Sequence, residues 1–268
     1  CKKTILILSG GGVKGISHIG ALKALQNKGD LDNIKIYCGS SIGGLLCALL
    51  LIGYTPDELR TFIYAIDLDK LKDLNISNLF KLYGLDDGKR LEIVLEKLFR
   101  EKGYNRSVTL LELYNQTNKK IILATTCLND KKIYYLSHET FPELQVITAI
   151  RMSTSIPLFF VPVKYKNKIY IDGACIDNFP IHLFNDNLEN VIALFLSDVK
   201  DQINDITNIE ELLLHVIQCL LEGVSCNSFK GYEKYVTIIS VKNVSTIDFR
   251  INTTLKQQLF NIGFNSIH

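Results

Sequence analysis

The sequence predicts an α/β protein in which helices cover both faces of a mainly parallel central sheet. Short, continuous apolar runs alternate along the chain with segments of helical length. Two of the early runs end in glycine motifs that lead directly into helices, and no linker-like composition or internal repeat interrupts the pattern. Alternating strands and helices form parallel units, and open parallel sheets hold their functional sites at the carboxyl ends of the strands.

The first unit comprises two strands and two helices. Residues 4–8 form an apolar run typical of a strand buried on both faces, and the apolar residues of 16–25 recur at helical spacing. A second strand is predicted at 34–38, followed by an apolar helix at 44–52. This order of elements predicts that the two strands pair in parallel.

Later segments of the chain repeat these patterns. Helices are predicted at 91–98 and 209–221, and strands at 121–125, 132–136, 168–172, 191–196 and 235–239. Because the chain of 268 residues is 47% hydrophobic and has no marked boundary, we expect a single domain over residues 1–268. The motifs lie within about residues 5–180, and the C-terminal part is expected to complete the sheet and the helical layers.

Composition argues against several classes of function. The 30 basic and 28 acidic residues are interspersed, without the basic tract that nucleic-acid binding requires. The longest apolar run, 42–52, is well short of the roughly 20 residues that span a bilayer, so no transmembrane segment is expected. We expect a cytoplasmic or membrane-peripheral protein, although a chain that begins at Cys1 leaves room for an upstream targeting segment.

Seven cysteines are distributed through mostly apolar runs without any C-x-x-C pair. This pattern predicts neither a disulfide framework nor a zinc site. We expect small buried hydrophobic residues in a reducing compartment, and no metal or other cofactor is predicted. The cysteines are Cys1, Cys38, Cys47, Cys127, Cys175, Cys219 and Cys226.

The first glycine motif follows a strand and opens a helix. It contains Gly10, Gly11, Gly12, Lys14 and Gly15, and its backbone N–H groups lie at the positive end of the helix dipole, where an anion would bind. The string also fits the dinucleotide fingerprint, but serine replaces the acidic residue that such a site needs after the second strand. A tight turn without a ligand is a further alternative. Lys14 could pair with a lipid phosphate or a carboxylate, although a first-turn lysine is more often solvated.

The second glycine motif has the pattern of a nucleophile elbow. Gly39, Ser41 and Gly43 stand between a strand and an apolar helix, in a turn too tight for side chains at the two glycine positions. The elbow places the Ser41 hydroxyl at a helix N-terminus, and the N–H of Ile42 then faces an oxyanion formed on the attacked acyl group. Ser40 is the rival hydroxyl, and helix capping is the alternative to catalysis. Together the two motifs provide a nucleophile and an oxyanion hole for acyl transfer.

A serine nucleophile needs a base, which is commonly a histidine oriented by an acid. Only His182 follows a plausible acid closely, and a lone histidine more often has a structural or solvated role. The stronger candidate is Asp172, which ends an apolar strand and precedes Gly173 and Ala174, two small residues that leave room for a neighbouring chain. A simple Asp-Gly turn is the alternative. The other histidines are His18, His138, His215 and His268.

The three motifs resemble, in order and approximate spacing, those of the patatin-like phospholipases. The resemblance runs from about Ile5 to Pro180 and includes the segments 151–157, 160–162 and 178–180. It implies a three-layer α/β/α sandwich, a Ser41–Asp172 dyad without histidine, and oxyanion donors at glycines 10–12. Ser9 stands where plant members usually carry Asp, and Lys14 where many carry Arg; both variants fit other branches of the family.

The resemblance also implies a function. Such a protein would hydrolyse fatty-acyl esters of phospholipids or other lipids at a transient membrane surface, and Asp172 would be poised by a partly desolvated pocket. The apolar residues 158–160 and the segment 74–85 could line an acyl channel, contact lipid or simply pack in the core. The alternatives are a dinucleotide-binding oxidoreductase, a non-catalytic lipid-binding module, and an esterase that uses His182 in a Ser-Asp-His triad. Residues beyond about 200 show no specific resemblance, so no function is transferred to them from the family.

Overall fold

The computed structural model describes residues 2–199, 206–242, 244–246 and 249–267. Within these ranges the strands are β1 (Ile5–Leu8), β2 (Ile36–Ser40), β3 (Gly84–Asp86), β4 (Lys120–Cys127), β5 (Lys132–Leu136), β6 (Leu158–Phe160), β7 (Val163–Tyr165), β8 (Lys168–Asp172), β9 (Val191–Val199) and β10 (Val236–Lys242). The α-helices are α1 (Gly15–Asn27), α2 (Ile42–Leu51), α3 (Pro56–Ala65), α4 (Ile76–Leu82), α5 (Lys89–Glu101), α6 (Leu110–Thr117), α7 (Val146–Thr154), α8 (Ile209–Ser225) and α9 (Thr253–Asn265).

Eight strands form one sheet in the order β10-β9-β1-β2-β4-β8-β7, with β5 also paired to β4. The strands β10, β9, β1, β2 and β4 pair in parallel, and β5, β7 and β8 add antiparallel pairs. The predicted mainly parallel sheet is therefore confirmed. Each predicted strand is present, with its ends shifted by up to three residues.

Both faces of the sheet are covered. Successive side chains of a strand point to opposite faces, and β1 shows this clearly. Leu6 and Leu8 belong to a core shared with helices such as α1, α2 and α5. Ile5 and Ile7 belong to a second core on the other face, which includes Phe179 and neighbouring residues. The three-layer α/β/α sandwich is therefore confirmed.

Several elements have no clear signal in the sequence. The patterns do not predict α3, α4, α6, α7 and α9, and they miss β3, β6 and β7. The three missed strands have three residues each, which is too short for a periodic pattern to be recognised. Helix α4 has only seven residues, about two turns, so its apolar residues are too few to establish a helical period. Across the described ranges, every helix falls short of the combined length and hydropathy of a membrane span.

The cysteines only partly follow the prediction of burial. Cys219 and Cys226 are exposed and Cys175 is half-buried, so for these three the prediction is wrong. The physical reason for the two exposed residues is their place on or just after α8, a helix in which no described residue is fully buried. Cys38, Cys47 and Cys127 are buried as predicted, and Cys1 lies outside the described residues.

The strand β4 brings two distant segments together. One of its edges pairs with β5 over the last five residues of the strand. The first part of the opposite edge pairs with β2, and the last part pairs with β8. Ser40 lies opposite Ala124, and Asp172 lies opposite the next residue, Thr125. The chain segment that follows Ser40 therefore meets the end of β8 on this shared edge.

Helix α9 packs against α1 at two glycines. A Cβ atom at Gly20 would overlap the carbonyl of Phe260, and one at Gly263 would overlap the carbonyl of Ser17. The two backbones are thus in direct contact, which no other residue type would allow. Because α1 starts at the first glycine motif, this contact also helps to hold the helix that carries the motif.

We expect Gly20→Ala to lower the free energy of unfolding by about 1–3 kcal/mol, because the added methyl group must push the two backbones apart. Urea unfolding monitored by circular dichroism measures this change. A matched control is Gly223→Ala in α8, where an added Cβ meets nothing. That change should stabilise the helix by up to about 1 kcal/mol. Equal stabilities of the parent and Gly20→Ala would contradict the close packing.

Candidate active site

Ser41 occupies a strained turn between β2 and α2. Its φ of 53° and ψ of −129° lie outside the regions that non-glycine residues favour. A Cβ atom at Gly39 would lie 2.6 Å from the backbone of Gly43 and Gly44, and one at Gly43 would lie 2.5 Å from the Ser9 carbonyl. The glycines are thus sterically required, as the elbow pattern predicts.

Ser41 and Asp172 form a direct hydrogen bond. The Ser41 hydroxyl donates to Asp172 Oδ2 at 2.6 Å. The other carboxylate oxygen, Oδ1, accepts from the backbone N–H of Ala174 at 2.8 Å. Asp172 is completely buried, and this burial raises its pKa from the ordinary 3.8 to about 7, against the opposing effect of the two hydrogen bonds. The carboxyl group can therefore accept and return a proton near neutral pH.

The end of α7 fixes both members of this pair. The backbone N–H of Ser41 donates to Ser153 Oγ at 3.1 Å, and that of Asp172 donates to the Ser155 carbonyl at 2.9 Å. The Thr125 hydroxyl joins the same region, since it is within hydrogen-bond distance of the Met152 carbonyl at 3.1 Å. The segment 151–157, which is part of the family resemblance, thus holds Ser41 and Asp172 in position through these hydrogen bonds.

The first glycine motif divides its N–H groups between two uses. The N–H of Gly10 donates to Asn178, at 3.1 Å to Oδ1 and 3.3 Å to the carbonyl oxygen. The N–H groups of Gly11, Gly12 and Ile42 have no hydrogen-bond partner among the described residues. Of the three glycines expected to supply oxyanion donors, Gly10 has an N–H that is already paired within the protein.

Three other residues of the predicted site lie close by. Lys14 is only 2% exposed and lines the same cavity as Ser41 and Asp172, so the solvated alternative does not apply to it. A Cβ atom at Gly15 would overlap the Ile42 side chain, and one at Gly173 would overlap the Ala124 carbonyl. Sequence reasoning did not assign a role to Asn178, whose position after the acid motif was its only signal.

Neither His182 nor His18 is hydrogen-bonded to the Ser41–Asp172 pair. His182 is hydrogen-bonded to Tyr135 at 3.2 Å and lies 3.8 Å from Asp177, and it makes no hydrogen bond with Ser41 or Asp172. His18 is buried with its Nε2 3.0 Å from the Ser9 carbonyl, and burial lowers its pKa to about 4. Among the described residues, no group of three or more His, Cys, Asp or Glu side chains is arranged to hold a metal ion.

Two cavities meet at Ser41. The apolar cavity has a volume of about 1000 Å³ and is lined almost entirely by aliphatic and aromatic side chains of α1, α2, α3 and α5. The second cavity, of about 1060 Å³, is also mostly apolar in its lining but contains Lys14, Asn178 and Asp172, and it is called the polar cavity because it is the more polar of the two. It is bounded on one side by α8. Both volumes include the open mouths, and both cavities share Gly12, Ser41 and Ile156.

The residues predicted to line an acyl channel lie in different places: some line or pack beside the apolar cavity, and others are exposed on the surface. Phe160 lines the apolar cavity, whereas Phe159 packs in a cluster with Phe160 and Ile156. Much of the segment 74–85 is exposed instead, with Phe80 at 78%. The apolar cavity is lined largely by residues that the sequence patterns place in the core. Sequence patterns cannot separate the two cases, because apolar residues recur at the same spacing on a helix face that lines a cavity and on one that packs in the core.

An α/β sandwich with an elbow serine hydrogen-bonded to a buried aspartate is an arrangement suited to acyl transfer. The chain belongs to the patatin-like phospholipase family, whose model matches residues 6–185. This matched range contains the elbow, the acid and the glycine motif. The resemblance found in the motifs is thereby confirmed. Membership supports a lipid hydrolase as the general class of activity.

Individual relatives agree with this assignment. Uncharacterized protein R571 of Acanthamoeba polyphaga mimivirus is 30% identical over 277 residues, which cover 98% of this chain and 91% of that protein. Probable lipid hydrolase 463L of Invertebrate iridescent virus 6 is 34% identical over 183 residues, covering 66% of this chain and 62% of that protein. The crystal structure of VipD from Legionella pneumophila matches with a TM-score of 0.74 at 16% identity, over 99% of this chain and 66% of VipD, which supports the fold.

We expect Asp172→Asn to be more stable than the parent above pH 7. The folded protein binds a proton at Asp172 between its ordinary pKa of 3.8 and its folded pKa of about 7, so the stability of the parent falls as the pH rises through this window. Asparagine keeps the shape and has no charge to bury. The gain should be near zero at pH 4 and reach at most about 4 kcal/mol above pH 7.

Urea unfolding from pH 4 to pH 8 measures this difference. The matched control is Ser41→Ala, which leaves the buried carboxyl group in place and should retain the fall in stability with pH. If the parent and Asp172→Asn lost stability equally with rising pH, Asp172 would not have the raised pKa.

Proposed function

We propose that this protein hydrolyses fatty-acyl esters of lipids through an acyl-enzyme on Ser41, with Asp172 as the general base. The observation that carries the proposal is the 2.6 Å hydrogen bond from the Ser41 hydroxyl to the buried carboxyl group of Asp172. The family supports a lipid hydrolase, and a relative named as a probable lipid hydrolase points the same way.

The reaction begins when Asp172 takes the proton of Ser41 as its oxygen attacks the ester carbonyl. The negative charge that develops on the carbonyl oxygen needs donors that the folded protein does not otherwise use. Gly11, Gly12 and Ile42 offer N–H groups that have no partner within the described part of the chain, whereas Gly10 positions the loop through its hydrogen bonds to Asn178. The N–H of Ile42 also lies at the start of α2, where the helix dipole favours a negative charge.

The same carboxyl group then serves as the acid. Protonated Asp172 returns its proton to the leaving alcohol oxygen as the bond between that oxygen and the acyl carbon breaks. Water afterwards attacks the acyl carbon of the acyl-enzyme as Asp172 takes a proton from it. Asp172 then returns this proton to Ser41 Oγ as the bond between Oγ and the acyl carbon breaks and the fatty acid leaves. A pKa near 7 suits both steps, because the protonated and ionised forms of Asp172 have similar free energies at neutral pH.

The two cavities suggest how a lipid is oriented. A fatty-acyl chain fits the apolar cavity, whose lining would exclude water from the chain as it leaves the bilayer. The alcohol portion then lies in the polar cavity, where Lys14 is placed to interact with a phosphate. We therefore favour phospholipids or other acyl-ester lipids, taken from a membrane surface, as substrates.

We expect Ser41→Ala and Asp172→Asn each to lower kcat/KM for a soluble ester and a phospholipid at least about 1000-fold, since each removes one member of the dyad. His182→Ala should stay close to the parent. In the parent, kcat/KM should rise about tenfold per pH unit below about pH 7 and then level off, as Asp172 loses its proton.

Circular dichroism and thermal unfolding establish that each variant is folded. A fluorophosphonate probe should label the parent and not Ser41→Ala. Loss of activity in His182→Ala with full activity in Asp172→Asn would favour the triad instead. A folded parent that binds lipid vesicles but hydrolyses no ester would favour the non-catalytic module.

The apolar cavity yields a test of chain-length preference. Ile42, Leu45 and Leu49 follow one another along α2, so Leu49 lies about 10 Å from Ile42 at 1.5 Å per residue. Leu49→Phe should shorten the cavity and lower kcat/KM for a palmitate ester about tenfold relative to a butyrate ester. Leu51→Phe is the matched control, because Leu51 is equally buried on the same helix but does not line the cavity. An unchanged ratio in Leu49→Phe would exclude this cavity as the acyl site.

A further inference from the structure

Helix α8 has two apolar faces, and we propose that the outer one docks on the surface of a lipid bilayer while the inner one covers the catalytic cavity. The inference rests on the proposed function. The outer face consists of Ile209, Leu212, Val216 and Leu220, which are 62%, 42%, 48% and 66% exposed. Their spacing of three, four and four residues places them in one stripe along the helix.

The inner face lies over the site. Leu214, Ile217 and Leu221 pack against the cluster of Ile156, Phe159 and Phe160. The same three residues line the polar cavity that opens at Ser41. The outer stripe and the residues that line this cavity therefore lie on different faces of one helix, so a surface that binds the stripe lies one helix diameter, roughly 10 Å, from the cavity.

Helix α8 is only partly buried against the described residues. No described residue of α8 is fully buried, although apolar side chains project from both faces. Its hydrogen bonds to the rest of the protein include one from Asn178 Nδ2 to Ser225 Oγ at 2.8 Å and one from Ser245 Oγ to Gln218 Oε1 at 3.3 Å. A continuous stripe of four exposed apolar residues in water needs a partner to explain it.

A second exposed apolar segment is connected through two short strands to the cluster under α8. Residues 74–83 expose Leu74, Ile76, Phe80, Leu82 and Tyr83, each by more than 40%. This segment leads into β3, which pairs with β6, and β6 carries Phe159 and Phe160 of the cluster under α8. The two exposed segments are thus joined through the same pair of short strands.

A bilayer is the partner that fits these features. The substrate of the proposed reaction resides in a bilayer, and its chain must reach the apolar cavity with little exposure to water. Helix α8 contains no Lys or Arg, so its binding should depend on apolar burial rather than on attraction to anionic lipids. We therefore expect docking on neutral phosphatidylcholine vesicles that persists at high salt.

The test compares two triple variants. One replaces Leu212, Val216 and Leu220 of the outer face with Gln. The control replaces Leu111, Leu128 and Ile262, which are 41%, 46% and 36% exposed elsewhere on the protein, with Gln. Vesicle co-sedimentation should fall at least about tenfold for the α8 variant and stay at the parent level for the control. The ratio of hydrolysis of vesicle lipid to that of a soluble butyrate ester should fall by a similar factor in the α8 variant alone.

The outcomes separate this inference from the proposed function. Thermal unfolding first shows that both variants are folded. If the parent binds vesicles and the α8 variant binds them equally well, the proposed docking surface is wrong, whether or not esters are hydrolysed. Failure of the parent to hydrolyse any ester overturns the proposed function, while vesicle binding still reports on docking. A parent that sediments as a dimer, with an α8 variant that is monomeric and still binds vesicles, identifies the stripe as a subunit contact and overturns the inference.

Discussion

The pairing of β4 is the constraint on which the rest of the site depends. One edge of this strand continues from a parallel pair with β2 into an antiparallel pair with β8, so that Ala124 and Thr125 have partners from two different strands. Ser41 and Asp172 are 131 positions apart in the sequence. They meet because Ser41 directly follows the residue paired with Ala124, and Asp172 is itself paired with Thr125. A shift of one residue in the register of β8 would turn Asp172 to the other face of the sheet, and the same shift in β2 would displace Ser41, so either shift would break the hydrogen bond.

The site is also unfavourable in itself. Ser41 has a strained backbone, and Asp172 is buried where its charged form is disfavoured. Hydrogen bonds from Ser41 to Ser153 and from Asp172 to Ser155 hold both residues in place, and the two flanking cores supply the stability that offsets the strain. Such strained and desolvated groups concentrate at functional sites because they give an acid and a nucleophile their reactivity.

Local chemistry explains how far the sequence predicts this structure. Strands buried on both faces, and glycines whose Cβ atoms would collide at Gly39 and Gly43, follow from residues close together in the chain. The pairing of Gly10 with Asn178 and the burial of Lys14 do not, because they arise from segments that meet only in the folded state. The same limit applies to Cys219, whose apolar neighbours suggested burial although α8 leaves one face uncovered.

Asn178 connects the two sides of the polar cavity. Its amide oxygen accepts from Gly10 in the glycine loop, and its amide nitrogen donates to Ser225 at the end of α8. The position of the helix and that of the loop are therefore linked through one side chain. Because the main-chain carbonyl of Asn178 also lies within hydrogen-bond distance of the Gly10 N–H, the loop retains a partner if the amide reorients with the helix. This second contact makes the glycine loop less dependent on α8 than the wall of the cavity is, so a change in the helix can alter access to Ser41 without dismantling the loop beside it.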